Sequence, residues 1–366
     1  MYQTITRGHL TTRLLIAEGA ISQVDWQAEL PRESKHFLVA DTKVFRLYGE
    51  LVMAAIQGAD LRLILVEEGE AAKAADEYLR VATAISQLGG DRFSTVISLG
   101  GASTNNVAGF VAATVLRGVR LMHVPTTLLA QLDGAIDFKQ AINIDGIKNL
   151  IGAYYAPSLI IVDPRFLETL PRRHIWNGFA EALKHALIED SNLLKFFERH
   201  ISDPPELFTL EAIRRTVALK ARLLQSAQYE ADEILMQYGH AVGHALESAS
   251  HNRLLHGEAV SIGMCVSAEV AYLVKLCDRG CVDLHYKLLS AYHLPTVLPS
   301  DCSIEEVLKR VRRDKYRTAG VQLMALPCSP GMPARSGDEY ARPVNELVLR
   351  KALAANLDRS SEGIRA

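Results

Sequence analysis

Between about residues 35 and 163, short apolar runs alternate with segments whose apolar residues recur at helical spacing, and this alternation constrains the fold more than any other feature. "HFLVAD", "LRLILVE", "STVISLG", "VRLMHVP" and "SLIIVD" are runs of strand length, while "RLYGELVMAAI" and "AADEYLRVATAISQL" repeat every three to four residues. Strands buried on both faces and joined through helices make a mainly parallel sheet, so the first half predicts an α/β domain. After "LETLPRRH" the periodicity is helical from residue 174 to about 292, with breaks at "SDPPEL" and "HNRLLHGE". The expected organisation is an α/β domain over residues 1–172 and a mainly helical domain over 173–366. The later run "GVQLMALPCSPG" fits neither period; a charged helix then closes the chain, and "DRSSEGIRA" reads as a frayed tail.

Charge and cysteine content remove several function classes. With 40 basic and 42 acidic residues among 366, the chain lacks the global positive field that recruits nucleic acid or anionic lipid, so any anion site is local. Cys265, Cys277, Cys281, Cys302 and Cys328 include no C-x-x-C pair, which argues against a thiolate zinc site and for reduced thiols in a cytoplasm. The start "MYQTITRGHLTTRLLIAEG" lacks the apolar core of a signal peptide, and no run reaches the ~20 residues of a membrane span. A soluble protein is expected.

The stretch "MQYGHAVGHALESASHNRLLHGEA" carries His240 and His244 four residues apart and His256 in a glycine-marked turn. Residues four apart project from one helix face, so both imidazoles can look into one cavity while His256 returns to it. Three histidines so placed point to a metal, and "NGFAEALKHAL" offers the carboxylate Glu181, with Lys184 one turn later. Spacing alone leaves open which of the histidines bind, and whether Glu181 and Lys184 are only a surface ion pair. In "VISLGGASTNNVAGF", two glycines follow a strand and open a helix, an arrangement that lets backbone N–H groups approach a phosphate. It does not match G-x-G-x-x-G, and many such turns only connect elements. Lys139, Lys148 and Asn149 lie in a mostly apolar, glycine-containing region between two strands, where a lysine calls for an anionic partner.

Taken together, "EGEAAK", "GGASTNNVAGF", "LRGVRLMHVPTTLLAQLD", "KQAIN", "KNLIGAYY", "LETLP", "GFAEALKHALI", "YGHAVGHALE" and "HGEAVSIGM" resemble the sugar phosphate cyclase superfamily, typified by 3-dehydroquinate synthase, from about Asp41 to Lys315. The resemblance implies a dehydroquinate synthase-like fold: an N-terminal Rossmann-like parallel-sheet domain followed by a mainly α-helical metal-binding domain. It implies a homodimer using NAD and Zn2+, with Co2+ as a substitute. Carried over by position, the metal ligands fall on Glu181, His240 and His256, and His244 becomes a residue beside the substrate phosphate. Dinucleotide contacts fall on Asp41, Glu70, Lys73, Gly100, Gly101, Asn106, Thr126, Thr127, Lys148 and the segment Phe166 to Thr169. Substrate contacts fall on Asp133, Lys139, Asn149, Lys184 and Lys220, with Arg117 reaching the site of a partner subunit. The implied reaction oxidises a ring hydroxyl, eliminates phosphate from the acidified neighbour, returns the hydride and closes a carbocycle by an aldol step.

Several positions bear on the substrate. Where dehydroquinate synthases usually carry "GGKTG" and an aspartate, this chain has "IDFKQAIN" and Asn106, as in the 2-deoxy-scyllo-inosose synthases that cyclise glucose 6-phosphate on the way to aminoglycosides. Glu233 stands where dehydroquinate synthases carry an arginine for the substrate carboxylate. Gln237 replaces an inosose-synthase glutamate, "DKYRTAG" only partly matches "DNKRGY", and Ala102 replaces the third glycine of the usual "GGG". The leading expectation is a glucose 6-phosphate cyclase. Its alternatives are dehydroquinate synthase, a sedoheptulose 7-phosphate cyclase, a glycerol dehydrogenase-like enzyme, and a silent NAD-binding protein.

Overall fold

The computed structural model describes residues 2–145, 147–203, 205–226, 229–251 and 253–362. The chain forms two compact units, Met1–Ile175 with Thr209–Gln225, and Trp176–Phe208 with Ser226–Ala366. The stretch Thr209–Gln225, which lies inside the helical half of the sequence and carries Lys220, thus folds with the first unit. Residues 363–366 of the expected frayed tail lie outside the described residues.

Among the described residues of the first unit, nine strands are β1 (Gln3–Arg7), β2 (Leu10–Ile16), β3 (Lys35–Asp41), β4 (Asp60–Val66), β5 (Thr95–Gly100), β6 (Arg120–Pro125), β7 (Lys139–Ile144), β8 (Ile147–Tyr154) and β9 (Leu159–Val162). Seven make one sheet in the order β1-β2-β9-β6-β5-β3-β4, parallel throughout except for the β1–β2 hairpin. Every residue of β5 and β9 is buried, which is why these strands read as continuous apolar runs. Alternation still sorts the side chains. Leu38, Ala40, Ile97 and Leu99 pack on one face with Val52 and Ile56, whereas Phe37, Val39 and Val96 pack on the other with Val81, Ile85, Val107 and Val111. Each such fully buried aliphatic side chain contributes about 1.5–3 kcal/mol of transfer free energy.

The strands expected from the sequence are β3, β4, β5, β6 and β9. Two hairpins were not among them. β1 with β2 adds an antiparallel edge, and β7 with β8 turns the lysine-bearing region into a ribbon whose outer strand is exposed over nearly all its length. In the sheet register Gly100 lies beside Pro125 and Ala40 beside Leu99, so Asp41, Gly101 and Thr126 follow at one carboxyl edge, where open α/β sheets bind ligands.

The second unit is mainly helical. Val242, Leu246, Ile262, Val266 and Val270 pack against Val307, Leu308, Leu349 and Leu353 in its core. The run that fitted neither period forms short strands, Val321–Met324 between Arg317–Thr318 and Arg342–Val344, and Pro327–Ser329 with Met332–Pro333. The closing charged segment is a helix, Glu346–Glu362. Among the described residues no helix is long and apolar enough to cross a membrane.

Polar groups buried between β5, β6 and the helix Ala102–Thr114 are linked in a chain. Asn105 donates to Ser98 Oγ at 2.8 Å, Ser98 Oγ and His123 Nδ1 are 2.7 Å apart, and His123 Nε2 faces Gln140 at 3.3 Å. Burial pushes the His123 pKa down to about 3, against a weaker opposing hydrogen bond from Gln140. Below pH 6.5 the unfolded chain therefore takes up a proton that the folded chain refuses, and stability is lost as pH falls from 6.5 toward 3. Replacing His123 by Gln should flatten the stability–pH curve in that window by about 1.4 kcal/mol per pH unit. Denaturant titrations at several pH values check this; identical slopes for both proteins would contradict it.

Candidate active site

Three helices of the second unit bring the metal-type residues together. Glu181 lies on Arg172–Ile188, His240 opens His240–Ala249, and His256 opens His256–Leu273. The glycines flanking these histidines have a steric purpose. A Cβ on Gly263 would collide with the Gly239 carbonyl oxygen, and Gly239 itself has φ 76° with Met264 N 2.9 Å from where its Cβ would be. A Cβ on Gly257 would strike the Asn177 carbonyl, while its N–H donates to Asn177 Oδ1 at 2.7 Å. Close backbone approach at these points lets side chains from three helices meet.

Glu181 is fully buried. Its Oε2 accepts from Lys184 Nζ at 2.5 Å, and that ammonium also donates to the Met236 carbonyl at 2.7 Å. Among the described residues its Oε1 has no hydrogen-bond partner, but it faces His240 Nε2 at 3.6 Å and His256 Nε2 at 3.4 Å. His240 Nδ1 is 3.0 Å from the Tyr238 carbonyl and His256 Nδ1 is 3.0 Å from Glu247 Oε2. Both rings therefore turn Nε2 toward the orphaned carboxylate oxygen. One carboxylate oxygen and two imidazole nitrogens within 4.8 Å of one another form a three-donor set that fits a divalent cation.

The electrostatics agree with that fit. Burial opposes the Glu181 charge, but Lys184, His256 and His240 outweigh it and hold the carboxyl well below the usual range. Burial, with Lys184 nearby, pushes His240 well down. Burial alone would lower His256, yet the carboxylates of Glu181 and Glu247 beside it raise it to about 10, the same charges that a cation at this point would compensate. His244, whose ring centroid is 5.2 Å from that of His240, is accessible on one side; the protein crowding its other sides and the neighbouring His256 push it down to about 4. His244 forms a second three-residue group with Glu247 and His256. Asp314 and Lys315 also act on it electrostatically.

The first unit gathers another set. Lys73, nearly buried, donates to Asn106 Oδ1 at 3.0 Å and to Asn149 Oδ1, and Glu70 lies 3.9 Å away. Glu70 accepts from Asn143 at 2.8 Å and from Ser103 at 3.0 Å. Asn149 holds φ 55° and Phe138, before Lys139, φ 62°, both uncommon for residues with side chains. Lys220 is buried and donates to the carboxylate of Asp133 and, at 3.1 Å, to its carbonyl. Lys139 pairs with Asp137 at 3.5 Å, and Lys148 is exposed on β8.

The helix Ala102–Thr114 starts at Gly101 with no side-chain cap, and a Cβ on Gly100 would meet Thr104 at 2.5 Å. Thr126 Oγ1 is buried without a partner among the described residues, and Thr127 Oγ1 accepts from Ala130 N at 3.2 Å. Uncapped N–H groups and an orphaned hydroxyl fit a dinucleotide. The methyl of Ala102 packs toward Gly134, where a Cβ would be 2.9 Å from it, so the lost third glycine is offset locally. Asp41 Oδ1 caps the helix Thr42–Ala55 through Lys43 N and Val44 N. The Phe166 ring is buried against Tyr48, whose hydroxyl meets Thr169 Oγ1 at 2.9 Å. Arg117 stands apart: it is exposed, with φ 65°, at the far end of that 13-residue helix, about 20 Å from Gly101 by helical rise.

Profiles described as 3-dehydroquinate synthase N-terminal and C-terminal match residues 63–177 and 178–317. The chain belongs to the 3-dehydroquinate synthase family. A 3-dehydroquinate synthase of Symbiobacterium thermophilum is 37% identical over 311 residues, 82% of this chain and 86% of that protein. A 2-deoxy-scyllo-inosose synthase of Streptoalloteichus tenebrarius is 35% identical over 323 residues, 86% of this chain and 83% of that one. Among solved structures, 2-deoxy-scyllo-inosose synthase complexed with carbaglucose-6-phosphate, NAD+ and Co2+ superposes with a TM-score of 0.86 at 25% identity, covering 98% of this chain and 100% of the other. This member of the 3-dehydroquinate synthase family is an enzyme, a sugar phosphate cyclase by kinship.

Sequence reasoning missed Glu247, Asp137 and Asn143, which hold or pair with the residues it named. Only Glu247 left a signal, three residues after His244 on the same helix face. If the three-donor set holds the metal, purified protein should retain about one divalent ion per chain, and His256→Ala should weaken retention at least tenfold. Metal analysis after dialysis against a mild chelator checks this; stoichiometric zinc in the variant would contradict the assignment.

Proposed function

We propose that this enzyme is a cytoplasmic, NAD- and zinc-dependent cyclase that releases phosphate from a neutral-headed sugar phosphate, glucose 6-phosphate first, to form a 2-deoxy-scyllo-inosose-type carbocycle. Identities of 37% and 35% to relatives of different names do not separate the substrates. The observation that carries the reading is Glu233, a carboxylate where an acid-binding member of the family has arginine. At an effective dielectric of ~20, like charges ~4 Å apart repel by roughly 4 kcal/mol, about three orders of magnitude in binding before solvent screening. Asn106 and the "KQAIN" strand at Lys139–Ile144 support glucose 6-phosphate. Gln237, which lines a small cavity with Asp314 and Gln322, favours sedoheptulose 7-phosphate as the second reading.

In this reading the residues of the first unit, Asp41, Glu70, Lys73, Gly100, Gly101, Asn106, Thr126, Thr127, Lys148 and Phe166 to Thr169, hold NAD. Glu181, His240 and His256 hold the metal. When bound, NAD accepts and returns a hydride, and the metal acts as a Lewis acid on the reacting oxygen. The protein's own groups bind and orient. Lys139, Lys184, Lys220 and Asn149 supply donors to the sugar phosphate, and Asp133 fixes the Lys220 ammonium by direct contact. His244, neutral at physiological pH, exchanges a proton beside the phosphate. Arg117, exposed at the far end of the helix that begins at Gly101, serves a partner subunit in a homodimer.

A competition between glucose 6-phosphate, sedoheptulose 7-phosphate and the acidic heptulosonate phosphate, with sub-stoichiometric NAD, tests the proposal. Phosphate should be released from glucose 6-phosphate over many turnovers per NAD without accumulation of NADH. Efficient conversion of the heptulosonate alone would overturn the substrate assignment, and NADH growing in step with product would overturn the cyclase chemistry.

A further inference from the structure

His240 and His256 present Nε2 to the same carboxylate oxygen, but their rings are oriented by different means. His240 Nδ1 lies 3.0 Å from the Tyr238 backbone carbonyl, an acceptor that no side-chain substitution removes. His256 Nδ1 lies 3.0 Å from Oε2 of Glu247, a side chain on the helix His240–Ala249. Glu247 is seven residues after His240 and three after His244, so it shares their helix face, and its side chain is only 14% exposed. An imidazole that donates Nδ1–H to a fixed acceptor keeps its Nε2 lone pair for a cation.

We propose that Glu247 is a positioning residue for the metal centre: by accepting the Nδ1–H of His256 it fixes that ring's tautomer and direction, so that Nε2 is offered together with His240 Nε2 and Glu181 Oε1. The inference rests on reading Glu181, His240 and His256 as the metal centre. Glu247 itself contributes no bond to the cation. Its neighbour His244, which could complete a group with Glu247 and His256, stays outside the coordination shell. The paired carboxylate also makes His256 a stronger donor, since partial negative charge on the far side of the ring raises the basicity of Nε2.

The test measures Zn2+ affinity of the full chain by chelator competition, without substrate or NAD, for wild type, Glu247→Ala and Glu247→Gln. Wild type should bind one ion per chain. Glu247→Ala should lose affinity by about 10- to 100-fold, and Glu247→Gln, whose amide oxygen still accepts from Nδ1–H, should lose less. Nitrogen-15 NMR of histidine-labelled, zinc-loaded protein supplies a second readout. The wild type should show His256 protonated at Nδ1 and metal-bound at Nε2, a signature sharpened by the carboxylate and broadened or mixed in Glu247→Ala. Should Glu247→Ala fail to fold, as judged by circular dichroism and gel filtration, the Gln variant and the wild-type tautomer still decide. Equal affinities within twofold, a His256 bound through Nδ1, or two ions per wild-type chain with Glu247 as a ligand would each overturn the inference. A wild type that binds no metal overturns the underlying site reading as well, whereas a metal-binding wild type with unaffected variants sinks only the role of Glu247.

Discussion

A fully buried carboxylate, Glu181, sets the terms for the second unit. An ionised carboxyl taken out of water is strongly unfavourable unless cations and donors surround it, and removing one partner of such a group typically costs 3–5 kcal/mol. Here the ammonium of Lys184 satisfies one oxygen and two imidazoles face the other. That arrangement requires three helices to approach at backbone contact, which explains glycine at 239, 257 and 263 better than any need for flexibility. The orphaned Oε1 is the part of this arrangement that a hydrogen-bonded core would not leave behind.

The first unit solves a different problem, holding cationic side chains near a sheet edge. Lys73 donates its ammonium to two amide oxygens and Lys220 to one aspartate, so both are held in place, the first by ion–dipole contacts and the second by an ion pair. Asn106 is central to the first of these. An aspartate there would turn an ion–dipole contact with Lys73 into an ion pair and change the donor available to a ligand, which gives a physical content to the difference between the branches of the family.

The sheet was legible because its strands are apolar on both faces and its helices are not, a contrast that survives in any α/β sequence. The hairpin Lys139–Ile144 with Ile147–Tyr154 was not legible. Its second strand, IKNLIGAY, follows no strict polar–apolar alternation and is exposed at nearly every position, so no buried face imposed a period. The histidine cluster was visible as a metal-type motif, yet spacing left His240 and His244 equivalent. What separates them is the direction of Nε2, set by the Tyr238 carbonyl in one case and absent from any pattern of residue types. Glu247 escaped for the same reason: on a helix it reads as an ordinary charged position until His256 is folded back against it. Glu233 and Gln237 were visible only by comparison with relatives, because neither breaks a local rule of helix composition.

The central claim is that the pocket around Glu181 is a single metal centre with two imidazole ligands and one carboxylate. X-ray absorption at the zinc edge of the protein loaded with one equivalent of Zn2+ tests it most directly. The account predicts a shell of nitrogen and oxygen only, near 2.0–2.2 Å, with outer-shell scattering from two imidazoles. Scattering from three imidazoles, which would bring His244 into the shell, or a sulfur shell near 2.3 Å would contradict it.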